Sequence, residues 1–178
     1  EQIMGLVSSV MGMGGIAGGL LVATGKIKGK PVRMIYLSAA FSFLFGDLGI
    51  GMGRGAWSWC LAGLAASVPI PLVAAGQRII LYHRVPREIQ GRIFAARNAL
   101  QYCSIPAGLL LGGWLADYVF EPFMQRGSAA AQLLGRLVGT GSGSGMALMF
   151  LCTGVLGATS SLYWYCNREI RKLEEGLE

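Results

Sequence analysis

Charge is what this sequence has least of. Only 13% of its 178 residues are Asp, Glu, Lys or Arg, about half the share usual in a soluble domain, and a water-exposed globular surface is excluded on that ground. Histidine occurs once, at His83, and the four cysteines Cys60, Cys103, Cys152 and Cys166 are scattered with no CxxC pair. That pattern supports neither a zinc site nor a disulfide framework, and no metal or cofactor is expected. Cys103 and Cys152 read instead as small buried apolar side chains. No His, Glu or Cys cluster is spaced for catalysis and no Ser or Asp has a base partner nearby, so an enzyme is not expected. The net charge of +6 does not point to nucleic acid, because the basic residues sit in gaps between apolar runs and not on one aromatic-studded face.

What fills the chain is apolar residues, 53% of the total, and 28 glycines. Five runs approach or reach the roughly 20 residues needed to cross a bilayer, at residues 3–24, 34–52, 57–80, 99–116 and 146–166, followed by a charged tail at 167–178. The expectation is an all-α polytopic membrane protein with five transmembrane helices. In span one, Gly14 with Gly18 and Gly15 with Gly19 form two interleaved small-xxx-small patterns, suited to close helix approach in lipid. Span two carries Asp47. An ionisable residue inside a span costs a few kcal/mol and raises a functional hypothesis, here proton coupling; the alternative is that it reaches the interface or a neighbour's hydroxyl. Span three opens with Trp57 and Trp59, as at an aromatic belt, and carries Pro69 and Pro71 near its middle. Such breaks persist in a membrane only where protein or a water-filled cavity meets the freed carbonyls, so span three either lines a substrate path, with Gln101 and Pro106 of span four, or holds a static packing kink. Gly112 and Gly113 close span four as a further packing pair. Residues 117–145 are too polar to span and end in GTGSGSG, which fits neither GxSxG nor GxGxxG and reads as a flexible loop; AAAQLLGRLV within it reads as a short surface helix.

Between spans three and four lies VPREIQGRIFAARN, residues 85–98. Pro86 suits a first helical turn, and Arg87, Arg92 and Arg97 spiral round the helix it would start. Pro86, Gln90, Gly91, Arg92 and Arg97 are expected to brace the adjoining span ends during gating. Of the 15 basic residues, 12 fall in the first loop, in the run from Arg78 to Arg97 and in the tail, while Arg54, Arg126 and Arg136 fall on the other side. The positive-inside bias places the tail in the cytoplasm and Glu1 outside. A weak repeat pairs AGGLLVAT (17–24) with LGGWLADY (111–118) in opposite orientations, as in inverted-repeat transporters.

The central stretch resembles a VPxxxQGRVFAxR pattern of the major facilitator superfamily, in its macrolide and siderophore efflux-like branch. A second run resembles that branch's GPLADxVFEPLM, matched here by Gly112, Leu115, Ala116, Asp117, Val119, Phe120, Glu121, Pro122 and Met124. The resemblance implies spans eight to twelve of a twelve-span transporter, hence part of the C-terminal half of a longer protein whose N-terminal half is the missing partner. It implies proton-driven export of a small hydrophobic substrate, a drug-like molecule, macrolide or siderophore, by alternating access across the plasma (inner) membrane. The superfamily's G-x-x-x-D-R-x-G-R-K loop is matched at Gly18, Gly25 and Lys26, but Val22 and Ala23 replace its Asp and Arg, so its charge-relay role does not carry over. A non-transporting membrane scaffold built from a transporter half is the competing expectation. The topology predicts that Ser142 and Ser144 lie outside while Cys166 lies inside; a cysteine at position 144 should react with membrane-impermeant maleimide in intact cells, and reaction with permeant reagent alone would refute the orientation.

Overall fold

The computed structural model describes residues 2–25, 30–126, 129–139, 141 and 143–172, and among these every regular element is helical. In chain order they are α1 (Gln2–Ala23); α2 (Pro31–Phe41), a π-helical turn (Ser42–Asp47) and α3 (Leu48–Met52); α4 (Ala56–Ser67) and α5 (Ile70–Arg84); α6 (Arg87–Leu115), a second π-helical turn (Ala116–Phe120) and α7 (Glu121–Gln125); α8 (Ala129–Val138); α9 (Ser144–Cys166); and α10 (Arg168–Arg171). Five runs are long and apolar enough to cross a membrane: Gln2–Ala23, Pro31–Met52, Ala56–Arg84, Arg87–Gln125 and Ser144–Cys166. These are spans one to five.

The largest difference from the expected span boundaries is at span four, where the crossing read at 99–116 is part of a longer helical run that starts at Arg87, beside the start expected at Pro86, and runs on to Gln125. Arg, Glu and Gln are strong helix formers, and a helix pairs its own backbone in water as well as in lipid, so apolar composition marks the bilayer-crossing part without marking the helix ends. At about 1.5 Å per residue the 39 residues of that run are longer than the roughly 30 Å hydrocarbon core, and the basic turns 87–97 project beyond it. Only Val85 and Pro86 separate α5 from α6, with Pro86 at the N-cap and not inside the first turn. The proposed repeat also fails structurally: residues 17–24 end a helix, whereas 111–118 run through the interior of span four into its π-helical turn.

Contacts divide the chain into two compact units, residues 1–80 with 150–178, and residues 81–149. In the first, α4 packs against α1 and against span two, and glycines set the approach. A Cβ at Gly14 would strike the Ser67 hydroxyl, and one at Gly18 the Val68 carbonyl; Gly63 answers from α4 against Met11. Gly46 and Gly49 press span two onto Ala66 and Ala62, and Gly154 and Gly157 press α9 onto Leu48 and Phe43. Of the two stripes expected on span one, only Gly14 and Gly18 are used. Gly15 and Gly19 face open space, because residues one position apart on a helix point about 100° apart and α4 occupies one side. The sharp turn into α4 is held by the Trp59 indole N–H, which donates to the Gly53 carbonyl at 3.1 Å; Trp57 is exposed.

In the second unit α6 has no buried residue. Gly112 and Gly113 meet nothing within contact distance, and Cys103 is exposed, against the expectation of a buried side chain; Cys152 is partly buried. Both departures have one cause, that among the described residues this face of α6 is left largely exposed. The surface helix expected at AAAQLLGRLV is α8, packed on α7, but residues 117–125 are helix and not loop. Lys26, Lys28, Ser142 and the tail beyond Lys172 lie outside the described residues. Ser144 is buried at the start of α9, so Arg126→Cys, at the exposed end of α7, is the sounder site for topology labelling. Gly18→Val should lower the thermal stability of the purified protein by about 2 kcal/mol or more through overpacking, while Gly19→Val should stay within about 0.5 kcal/mol. Equal shifts in a detergent melting assay would remove the case for one-sided packing.

Candidate functional site

Span three breaks where the prolines predict. Pro69 and Pro71 have no N–H to give to the carbonyls of Ala65 and Ser67 four residues earlier. Beyond the break the amides of Leu72 and Val73 both turn to the Pro69 carbonyl, at 3.0 and 3.1 Å. Two residues before Pro69, the buried Ser67 hydroxyl donates to the Gly63 carbonyl at 2.8 Å, a back-bond that tends to bend a helix. Protein meets the break from two sides. The Ser42 hydroxyl, on span two, donates to the Ala66 carbonyl at 2.7 Å. From α1, Gly18 brings its backbone against the Val68 carbonyl and the Pro71 ring. Pro69 is buried and Pro71 partly buried.

Ser42 opens the π-helical turn that Asp47 closes. Within it the Leu48 amide donates to the Phe43 carbonyl, five residues back, and π-helical turns of this kind recur at functional sites. Asp47 is half-buried and lies beside the Thr153 side chain of α9, whose hydroxyl donates to the Phe150 carbonyl at 3.0 Å. A neighbour's hydroxyl, one of the expectations for Asp47, is thus within its surroundings. The adjacent Gly46 faces Ala66 of span three.

The second unit holds two clamps at the ends of span four. At one end Gln90 reaches back across the elbow and its side-chain amide donates to the carbonyls of Val85 (2.9 Å) and Tyr82 (3.2 Å). Tyr82 lies in the last turn of α5, where the final carbonyls have no partner in their own helix, and Val85 directly follows that helix. Phe94, one turn on, sets its ring 5.0 Å from that of Tyr82. At the other end Glu121 accepts the Gly143 amide at 3.2 Å and the Gly145 amide at 2.9 Å, one on each carboxylate oxygen, with the Gln125 side chain also donating at 3.3 Å. A carboxylate here pairs two otherwise unsatisfied donors at the start of α9 and meets the positive end of its dipole. Gly139, Gly141 and Gly143 adopt positive φ, so part of the GTGSGSG run is a wrap around Glu121 and not a plain flexible loop. A Cβ on Gly145 would collide with the Glu121 backbone.

Asp47, Pro69 and Pro71 therefore share one packed region of spans one, two, three and five. Gln101 and Pro106 lie on α6, where residues 98–111 are all exposed, and the helix continues through Pro106 unbroken. In the central stretch Gln90 has the bracing contacts; Gly91 faces open space, and Arg87 and Arg92 are exposed while Arg97 donates to Asn98 at 3.5 Å. Ser42, Thr153 and Glu121 were not read as functional from sequence. The signal for the first two was a hydroxyl within an apolar run, and for Glu121 a carboxylate ahead of a glycine-rich turn. Among the described residues no three His, Cys, Asp or Glu side chains converge as for a metal ion. Comparison with protein-family models, with curated proteins and with solved structures finds no match to this chain. Glu121→Ala should expose the amides of Gly143 and Gly145, raising their hydrogen exchange and costing about 1–2 kcal/mol, while exchange in α1 stays unchanged. Unchanged exchange at both glycines would show that the carboxylate does not hold that turn.

Proposed function

We propose that the chain is part of a secondary exporter of the major facilitator kind, corresponding to spans eight to twelve, which moves a small hydrophobic molecule across the plasma membrane by alternating access driven by protons. The observation that carries this reading is that the two sequence runs behind the resemblance lie at the two ends of span four, and a polar residue of each, Gln90 and Glu121, ties that span to its neighbour. A residue pattern kept only for solubility or lipid contact has no need of such clamps. The broken span three and the carboxylate on span two add the discontinuous helix and the intramembrane charge that transporters place near their sites. In this reading the tail is cytoplasmic, and no enzymatic step or cofactor is required.

A second reading has its own observation. The break in span three is filled by Ser42, Gly18 and Ser67, as a static kink in a non-transporting scaffold would be. Transport in cells with the full-length protein separates the two. Export of a fluorescent hydrophobic cation should follow an imposed pH gradient, Asp47→Asn should abolish that dependence, and Pro71→Leu should reduce export without loss of membrane insertion. Export that still follows the gradient in Asp47→Asn removes the coupling role, and absence of export in the wild type favours the scaffold.

A further inference from the structure

We infer that α8 is an interfacial helix whose free apolar edge inserts into the lipid leaflet at the end of the membrane where span four finishes. The ten residues of α8 divide into three faces at about 100° per residue. Ala131 and Gly135 are buried and Leu134 and Val138 partly so, forming the protein-covered side of a helix that packs on α7. The exposed remainder is not mixed. Leu133 and Leu137, one turn apart and 66% and 45% exposed, form one edge with Ala130. Gln132 and Arg136, also one turn apart and exposed, form the other. A helix standing in water has no reason to sort its exposed residues into an apolar and a polar edge, and a helix crossing the bilayer has no place for Arg136 and Gln132. A helix lying along the interface needs this three-way division, with one side on protein, one edge among acyl chains and one edge among headgroups and water.

Its attachment fixes it at that depth. α8 follows the end of the run Arg87–Gln125 and precedes Ser144–Cys166, two of the runs long and apolar enough to cross the membrane, and the Glu121 carboxylate holds the start of α9 to the end of span four through the amides of Gly143 and Gly145. Both ends of α8 are thus tethered to span ends at one membrane surface. Arg136, on the polar edge, is placed for the phosphate layer, where a basic side chain is favoured by about 1 kcal/mol. The inference stands whether or not the protein transports anything.

The test is spin-label accessibility. Nitroxides are attached at Leu133→Cys and at Gln132→Cys in the full-length protein, with its native cysteines replaced, after reconstitution into phosphatidylcholine and phosphatidylglycerol vesicles. Collision with oxygen, which concentrates among acyl chains, is compared with collision with a water-soluble nickel chelate. The oxygen-to-nickel ratio should be severalfold higher at 133 than at 132, and a label at 137 should follow 133. Equal, water-like ratios at 133 and 132 would overturn the inference by placing α8 in solution. Low collision with both reagents at 133 would overturn it equally, since another protein surface, a second copy included, would then cover the edge.

Discussion

A helix in hydrocarbon must pair its own backbone, since each polar group left bare there costs several kcal/mol. Span three strains that requirement where Pro69 and Pro71 have no N–H to give to the carbonyls of Ala65 and Ser67, and much of the first unit is arranged around the break. Because Pro69 and Pro71 withhold two donors, the carbonyls near the bend need other partners. The Ser42 hydroxyl supplies one to Ala66. Close backbone approach from Gly18 covers Val68 with a weak C–H contact. Both contacts require neighbours at backbone distance, and that explains why glycine occupies positions 14, 18, 46 and 63, where any Cβ would collide with the facing helix. Lipid offers no hydrophobic drive for helices to associate. Close fit and these few polar contacts must hold the spans together.

The same constraint gives the π-helical turn in span two a role. Ser42, Gly46 and Gly49 are spaced four and three apart and face span three, while Phe43 and Leu48 meet the glycines of α9. One helix thus serves two partners at once. The extra residue of the π turn falls between Phe43 and Leu48, where Asp47 is left beside Thr153 of α9. The distribution of small residues follows. Some of these glycines meet Ala, Ser or backbone on the facing helix, and others receive a larger side chain in the space a Cβ would fill: Met11 at Gly63, Leu48 at Gly154 and the Phe43 ring at Gly157.

The five crossings were legible because apolar runs of the right length are a one-dimensional signal. The break at Pro69 was legible too, because proline acts through its own covalent structure. Helix ends were legible only in part: Pro86 marked the start of α6, which begins at Arg87, but the helix over 117–125 was not seen, because Asp117, Glu121 and Pro122 read as the opening of a loop. Which of two interleaved glycine stripes is used depends on where α4 lies, and no local pattern in span one encodes that. Cys103 misled for a related reason, since a small apolar residue reads as buried whether its stretch of helix is covered or, like residues 98–111 of α6, exposed. Glu121 was visible as part of a motif, but its two amide partners lie 22 and 24 residues on, beyond a turn whose conformation depends on positive φ at glycine.

Magnitudes decide what the filled break implies for motion. Exchanging the Ser42 to Ala66 hydrogen bond for one to water costs about 1 kcal/mol, whereas losing it with no replacement in an apolar surrounding costs about 4–6 kcal/mol. The glycine contacts are dispersion contacts of a few tenths of a kcal/mol each and yield to sliding. Movement of the bend is therefore cheap when water reaches Ala66 and expensive when it does not. A break filled by protein is compatible with a hinge, provided that the opening which breaks the Ser42 contact also admits water. Without that water the same contacts make a rigid kink, and the difference between an exporter and a scaffold reduces, at this residue, to whether span three is ever wet.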